Sequence, residues 1–240
     1  MKAMVLAAGL GTRLRPLTND QPKALVRVAD RTLLEITLKR LREFGVREVI
    51  VNLHHFADMV VEYLKANDNF GMHVEISREE TLLDTGGGLK KAGWFFAGDS
   101  EPFILHNVDV ISTIDLGEML RFHNDRQGLA TLAVKDRPTS RYLIFDDDMH
   151  LCGRRLVREQ KLDMVRSASQ SHELAFAGIH IISPRFLSMM TEEGTFSIIT
   201  SYLELAGRGE RILGFRADAY NWRDLGTLES LKKAAAELET

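Results

Sequence analysis

The residues best suited to chemistry lie near the start of the chain. Leu6-Ala7-Ala8-Gly9-Leu10-Gly11-Thr12-Arg13-Leu14-Arg15-Pro16-Leu17-Thr18 is followed closely by Pro22-Lys23. An apolar run ends in glycines, and cations follow. Backbone N–H groups of such a loop can approach an anion closely, because Gly9 and Gly11 lack the Cβ atoms that would block it. Arg13 and Lys23 add fixed positive charge beside it. The bland reading is a tight turn with surface arginines. Strand, glycines, cations and Pro22-Lys23 occurring together favour a phosphate cradle. The loop is not the dinucleotide fingerprint, since Leu14 occupies the third glycine position. Nor is it a Walker loop, since no Gly-Lys-Ser/Thr follows.

Other segments offer chemistry less specifically. Asp109 follows the apolar strand Phe103 to Leu105, near the strand end where open α/β sheets bind ligands. Asp224 follows Tyr220-Asn221-Trp222-Arg223. Either aspartate alone is more often a cap or turn residue. Gly86-Gly87-Gly88 leads into Leu89-Lys90-Lys91-Ala92, a backbone platform at a helix start or a flexible loop. Gly178 interrupts the apolar strand Phe176 to Ile182, marking a bulge or a close ligand approach. Asp146-Asp147-Asp148 reads as a hairpin turn between strands. The neighbours His54 and His55 diverge too much to form a ligand pair. Cys152 reads as a buried small residue, and Trp94-Phe95-Phe96 and Met189-Met190 as core or a subunit contact, which leaves a homodimer open.

Elements must position these residues. Ala3 to Ala8 is a short continuous apolar run, as expected of a strand buried on both faces of a parallel sheet. A helix from Leu33 to about Gly45, a strand at Glu48 to Leu53, a helix over Phe56 to Leu64 and a strand at His73 to Ile76 follow. Gly88 to Phe96 reads as helix and Pro102 to Leu105 as strand. This rhythm predicts a Rossmann-like α/β half over about residues 1–125. The rest, about 126–240, changes style. Strands are expected at Leu129 to Val134, Tyr142 to Phe145, Leu151 to Gly153 and Leu174 to Ile182, then at Ile212 to Phe215 and Tyr220 to Arg223. Helices are expected at Arg185 to Met190 and Ser197 to Ala206, with a last one capped by Thr227. The fold class expected is therefore a single α/β domain: a mixed sheet flanked by helices, with an antiparallel addition in its second half.

Composition narrows the function. The 240 residues carry 31 Lys plus Arg against 34 Asp plus Glu, a net charge of −3, which gives no electrostatic footprint for nucleic acid. One cysteine excludes an intrachain disulfide. No signal peptide or membrane-length apolar run is present, so a cytoplasmic protein without a membrane partner is expected.

The glycine-rich segment resembles the signature of the sugar-1-phosphate nucleotidylyltransferases. In that family a strand leads into Ala-Gly-Gly or Ala-Ala-Gly-x-Gly-Thr-Arg-Leu-x-Pro-Leu-Thr and then Pro-Lys. The resemblance continues through Leu83-Asp84-Thr85-Gly86-Gly87-Gly88, Asn107-Val108-Asp109, Phe176-Ala177-Gly178-Ile179 and Trp222-Arg223-Asp224-Leu225-Gly226-Thr227. It implies condensation of a nucleoside triphosphate with a sugar 1-phosphate, giving a nucleotide sugar and pyrophosphate. It implies nucleotide contacts at Ala8, Gly9, Gly11, Thr12, Arg13, Gly86 and Gly87. Arg13 would hold the departing pyrophosphate, and Lys23 would neutralise charge at the α-phosphorus. Asp109 and Asp224 would ligate Mg²⁺, and Asn107 and Gly178 would meet the sugar phosphate. Compact length and the Thr85-Gly86-Gly87-Gly88 form look most like the N-acetylmuramate-1-phosphate uridylyltransferases of cell-wall recycling, with mannose-1-phosphate guanylyltransferases next. No hexapeptide repeat follows, so no second acyltransferase activity is expected.

Two departures from the family pattern stand out. Val108 replaces the usual glycine of Asn-Gly-Asp. The Glu-Lys-Pro segment, whose lysine binds the sugar phosphate, is missing. Arg141, Arg154 and Arg155 are candidates to replace that lysine. Strand alternation allows only one of Arg154 and Arg155 to face the site, and Arg141 is the favoured anchor. A non-catalytic nucleotide-sugar sensor and a nicotinamide oxidoreductase are the rival readings. Leu14 counts against the second.

Overall fold

The computed structural model describes residues 1–238. In chain order the first half contains β1 (Lys2–Leu6), β2 (Arg27–Val28), β3 (Arg31–Thr32), α1 (Leu33–Glu43), β4 (Glu48–Leu53), α2 (Ala57–Ala66), β5 (His73–Arg78), α3 (Asp84–Ala92), β6 (Phe103–Asn107), β7 (Val110–Ser112) and α4 (Leu116–Asp125). The second half contains β8 (Ala130–Lys135), β9 (Arg141–Phe145), β10 (Leu151–Leu156), β11 (Lys161–Met164), β12 (His172–Ile182), α5 (Arg185–Met189), α6 (Ile198–Gly207), β13 (Ile212–Arg216), β14 (Trp222–Asp224) and α7 (Leu228–Leu238).

One large sheet runs in the order β11-β10-β9-β12-β6-β1-β4-β5, with β8 joined to β12 and β13 to β8. β6, β1, β4 and β5 are parallel. β12 reverses direction against β6, and β9, β10 and β11 continue antiparallel. This is the mixed sheet with an antiparallel addition that the sequence predicts. Ala3, Met4 and Val5 of β1 are all fully buried, because side chains alternate between two covered faces. Val5, Val51 and Ile104 pack with Leu34 and Leu38 of α1 and Val60 of α2. Met4, Ile50 and Leu105 pack on the other face with Leu89 of α3, Phe186 of α5 and Tyr202 of α6. Helix α1 starts at Thr32, whose hydroxyl accepts the Glu35 N–H at 3.0 Å.

β2, β3, β7 and α4 are not among the elements the sequence predicts, and four further segments depart from their expected form. Helix α3 begins at Asp84 rather than Gly88, so the triple glycine is helical and not a loop. β10 runs on to Leu156, which places Arg154 and Arg155 within a strand. β11, an exposed edge strand, has no apolar alternation strong enough to announce it. Trp94 is exposed while its neighbours Phe95 and Phe96 are buried, so that aromatic run is only partly core. The Asp146-Asp147-Asp148 turn forms as expected between β9 and β10, with Asp146 accepting the His150 N–H at 2.7 Å. Among the described residues no helix is long and apolar enough to cross a membrane.

Candidate functional site

The site forms where the strand order changes direction. β4 pairs with one side of β1 and β6 with the other, so the carboxyl ends of β1 and β6 open onto a crevice between diverging connections. Open α/β sheets bind ligands at such a point. Leu6 is opposite Asn107 in this ladder, which sets the glycine-rich loop beside Asn107 and Asp109.

Gly9 is exposed, and a Cβ built on it would meet nothing within 4 Å. Gly11 adopts a left-handed conformation (φ +63°), and a Cβ there would lie 2.9 Å from the Thr18 methyl. Thr18 Oγ1 donates to the Gly11 carbonyl at 2.9 Å and pins the turn. Gly9, Leu10, Thr12 and Arg13 are thus presented outward on a fixed backbone.

Two carboxylates meet this loop. The Lys23 ammonium is ion-paired with Asp109, and both side chains are largely buried. β14 pairs antiparallel with β7 so that Asp224 is opposite Val110, next to Asp109. The Leu225 N–H donates to the Asp109 carbonyl at 2.8 Å and locks the two segments together. Asp224 Oδ1 accepts the Gly226 N–H at 2.7 Å and lies 4.0 Å from the Arg13 guanidinium. That last pair is 44–61% exposed, so it holds Arg13 only weakly. The structure therefore brings Arg13 and Lys23 of the first connection together with Asp109 and Asp224 from two distant segments. Val108 is buried, donates its N–H to the Leu6 carbonyl at 3.1 Å, and is not among the residues with positive φ. The conformation here needs no glycine.

Beside the carboxylates lies a cavity of about 440 Å³, whose walls include Asn107, Arg137, Arg141, Arg154, Gly178 and Trp222, together with Asp109 and Asp224. Gly178 has φ +77°, and the register of β12 against β8 slips between Phe176 and His180. It is a bulge in the cavity wall. The bulge releases two carbonyls from the ladder. The Phe176 carbonyl accepts from Arg137 at 2.9 Å, and the Ala177 carbonyl from Trp222 Nε1 at 2.7 Å.

Arg141 lies on this wall as the sequence suggests. Arg154 shares it, but its Nε donates to Asp163 at 2.8 Å. Arg155 is ion-paired with Glu173 and is not part of the lining, as strand alternation requires. Arg137 was not singled out by sequence reasoning. Its guanidinium lies 4.2 Å over the Trp222 ring, and its buried Nε has no hydrogen-bond partner among the described residues. Burial lowers its pKa from the ordinary value, opposed by Asp224 and Tyr142. An arginine so placed stays charged and keeps donors in reserve. Only its position before Pro138, after a strand, marks it in the sequence.

The glycines of α3 behave differently from those of the loop. The space a Gly86 Cβ would need is filled by the Phe196 ring, and that of Gly87 by the Gly194 carbonyl. His54 hydrogen-bonds through Nδ1 with the Glu79 carbonyl at 2.9 Å, and Cys152 is buried. Among the described residues no group of three or more His, Cys, Asp or Glu could hold a metal ion by itself.

Comparison with known proteins agrees with this architecture. The model of the nucleotidyl transferase family matches residues 2–240. An N-acetylmuramate alpha-1-phosphate uridylyltransferase of Caulobacter vibrioides is 34% identical, with 98% of this chain and 96% of that protein covered. A mannose-1-phosphate guanyltransferase of Yarrowia lipolytica is 29% identical over 94% of this chain, which spans 61% of that protein. Among solved structures, HddC from Yersinia pseudotuberculosis complexed with GMP-PN superposes with a TM-score of 0.76 at 22% identity, covering 99% of both chains. The chain belongs to the nucleotidyl transferase family.

Proposed function

We propose that this nucleotidyl transferase joins UTP to N-acetylmuramate 1-phosphate. A phosphate oxygen of the sugar attacks the α-phosphorus of UTP, the bond to the β-phosphate's bridging oxygen breaks, and pyrophosphate departs. The observation that carries the acceptor reading is the pair Arg137 and Arg141. Both face the cavity, and among the described residues neither is ion-paired with a carboxylate. Two guanidiniums without a carboxylate ion pair suit an acceptor with two anionic groups, a phosphate and a carboxylate. N-acetylmuramate 1-phosphate carries both, and the 34% identical relative of nearly equal length is named for that substrate. GTP with mannose 1-phosphate is the second reading, supported by the guanyltransferase relative. A neutral sugar would offer only its phosphate to these two guanidiniums.

The charges suit the reaction. Gly9, Gly11 and Thr12 would offer backbone donors to the triphosphate, and Gly86 and Gly87 would lie toward the base. The weakly held Arg13 would turn from Asp224 to the departing pyrophosphate. Lys23 would exchange part of its hold on Asp109 for the α-phosphate, where negative charge must be neutralised as the two phosphates approach. Arg141 would anchor the sugar phosphate and Arg137 the carboxylate, with Asn107 and the bulge at Gly178 against the sugar ring. Asp109 and Asp224 are adjacent hard oxygen donors without a third acid. They would hold a cation such as Mg²⁺, which prefers hard oxygen ligands. When bound, that ion supplies charge neutralisation and orientation at the α-phosphate.

A thermal-shift panel of the four nucleoside triphosphates, each with Mg²⁺, tests the nucleotide. At a hundredfold excess over Kd, UTP should stabilise by about 2.7 kcal/mol, a Tm rise of about 5–10 °C. A larger shift with GTP would favour the second reading.

A further inference from the structure

The nucleotide half contains a buried polar pair that the mechanism above does not use. Asn52 ends the core of β4 and Glu79 follows β5 directly; they are 2% and 4% exposed. The Asn52 Nδ2 donates to Glu79 Oε1 at 2.7 Å. The oxygen of the same Asn52 amide accepts the Ala7 N–H at 2.8 Å. The other oxygen of the Glu79 carboxylate accepts the Leu83 N–H at 2.9 Å. Ala7 is the first residue of the glycine-rich loop, and Leu83 is the residue before α3. Glu79 is itself held to β4, because its N–H donates to the Leu53 carbonyl at 2.7 Å.

This chain of bonds has a fixed sense. Ala7 and Leu83 can only donate, so each needs an acceptor. Asn52 must therefore turn its oxygen to Ala7 and its nitrogen to Glu79, and both Glu79 oxygens must accept. Gly88 explains itself here as well. A Cβ at that position would lie 2.8 Å from both Asn52 Nδ2 and Glu79 Oε1. The third glycine of the triplet makes room for this pair rather than for a ligand.

We propose that Asn52 and Glu79 are positioning residues for the nucleotide: one buried amide–carboxylate pair ties the root of the glycine-rich loop to the start of α3, fixing the triphosphate cradle relative to the base side of the site. This rests on the reading of those two segments as the nucleotide site. Neither side chain touches the nucleotide. Losing the pair frees Ala7 and Leu83 independently, and the two halves of the nucleotide site lose their common frame. The arginine wall of the acceptor cavity, carried by the β8–β9 connection, β9 and β10, is not part of that frame.

The donor and acceptor pattern can be inverted without adding or removing charge. Asn52→Asp leaves two carboxylates facing each other, and Glu79→Gln sets an amide N–H₂ against either Asn52 Nδ2 or the Leu83 N–H. The double variant restores complementarity, since Asp at 52 accepts from Ala7 and from Gln at 79, whose oxygen accepts from Leu83. KM for UTP and for N-acetylmuramate 1-phosphate should be measured with Tm for all four proteins. Each single variant is expected to raise the triphosphate KM by about tenfold or more and to move the acceptor KM by less than about twofold. The double variant is expected to return the triphosphate KM to within about threefold of the starting protein. An unchanged triphosphate KM in the singles overturns the proposal, as does an equal rise in both KM values. A double variant no better than the singles also overturns it. If a single variant fails to fold, a folded double variant with near-normal KM supports the pairing, and an unfolded one overturns it. Should the unaltered enzyme prefer another triphosphate, the UTP reading falls, and the same comparison with that triphosphate still decides this one.

Discussion

Gly9 and Gly11 differ from Gly86, Gly87 and Gly88 in what occupies the place of the missing methyl group. At Gly9 it is open space, and Gly11 supplies a left-handed turn that keeps the loop facing outward. At the triplet it is protein: a phenyl ring, a carbonyl, and a buried amide–carboxylate pair. One cluster keeps backbone accessible to a ligand, while the other lets α3 pack closely on Phe196, Gly194 and the ends of β4 and β5. The comparison teaches that a glycine run near a site can serve close helix packing as well as ligand access, and what a Cβ would strike shows where packing demands it.

The largest effect should come from the charges beside the open loop. Lys23→Ala and Asp224→Asn are each expected to lower turnover by about 10²–10³, as loss of a preorganised charge at a reacting centre does. Asp224→Asn should keep its Tm within about 2 °C, because that carboxylate is half-exposed. Steady-state rates at saturating substrates check this, and near-normal turnover in either variant would remove that residue from the reaction.

Substituting one glycine from each cluster sharpens the contrast. Gly87→Ala meets the Gly194 backbone, which cannot yield as a side chain would, and should cost about 1–3 kcal/mol of stability. Gly9→Ala has space for its methyl in the free protein, so its Tm should not fall, while the triphosphate KM rises. A thermal melt and one KM series per variant suffice. Reversed outcomes would show that the two clusters have exchanged roles. Arg141→Ala and Arg137→Ala should come next, each raising the acceptor KM by about tenfold with the triphosphate KM nearly unchanged. An unmoved acceptor KM would take either residue out of the cavity chemistry.

An effect on stability rather than on turnover lies in the sheet behind the site. Burial holds His106 at a pKa of about 4 and His180 at about 3, so both are neutral when folded. The unfolded chain protonates them near pH 6.5. Their contribution to stability is therefore complete above about pH 6.5 and is lost as pH falls toward 4 and 3. Urea unfolding at pH 7 and pH 5 should show this loss, and His106→Asn should lessen it. A slope unaltered by that variant would mean that other groups carry the acid sensitivity.

Much of this was legible in the sequence because it was local. The glycine-rich loop, with its cations close by, announces its own chemistry, the apolar run Phe103 to Leu105 places Asp109, and Asp224 stands in a motif matched by resemblance. Alternation correctly separated Arg154 from Arg155. What was not legible depends on partners far apart in the chain. Arg137 gains its role from Trp222, 85 positions on, and from a carbonyl that a bulge frees. Asn52 and Glu79 read as ordinary strand-end residues until β1, β4 and β5 stand side by side. The helix start is expected at Gly88 rather than Asp84 because glycine is a poor helix former, and tertiary packing overrides that preference. Edge strand β11 carries Lys161 and Asp163 beside Leu162 and Met164, a pattern whose apolar residues face solvent rather than core.

The central claim is that this site takes an acidic sugar 1-phosphate with UTP. The most direct test is pyrophosphate release by one enzyme preparation given UTP with N-acetylmuramate 1-phosphate and, separately, GTP with mannose 1-phosphate, both with Mg²⁺. The two anionic groups facing Arg137 and Arg141 predict a kcat/KM at least about tenfold higher for the first pair, the value of one charge-assisted contact. A higher kcat/KM for GTP with mannose 1-phosphate would contradict it.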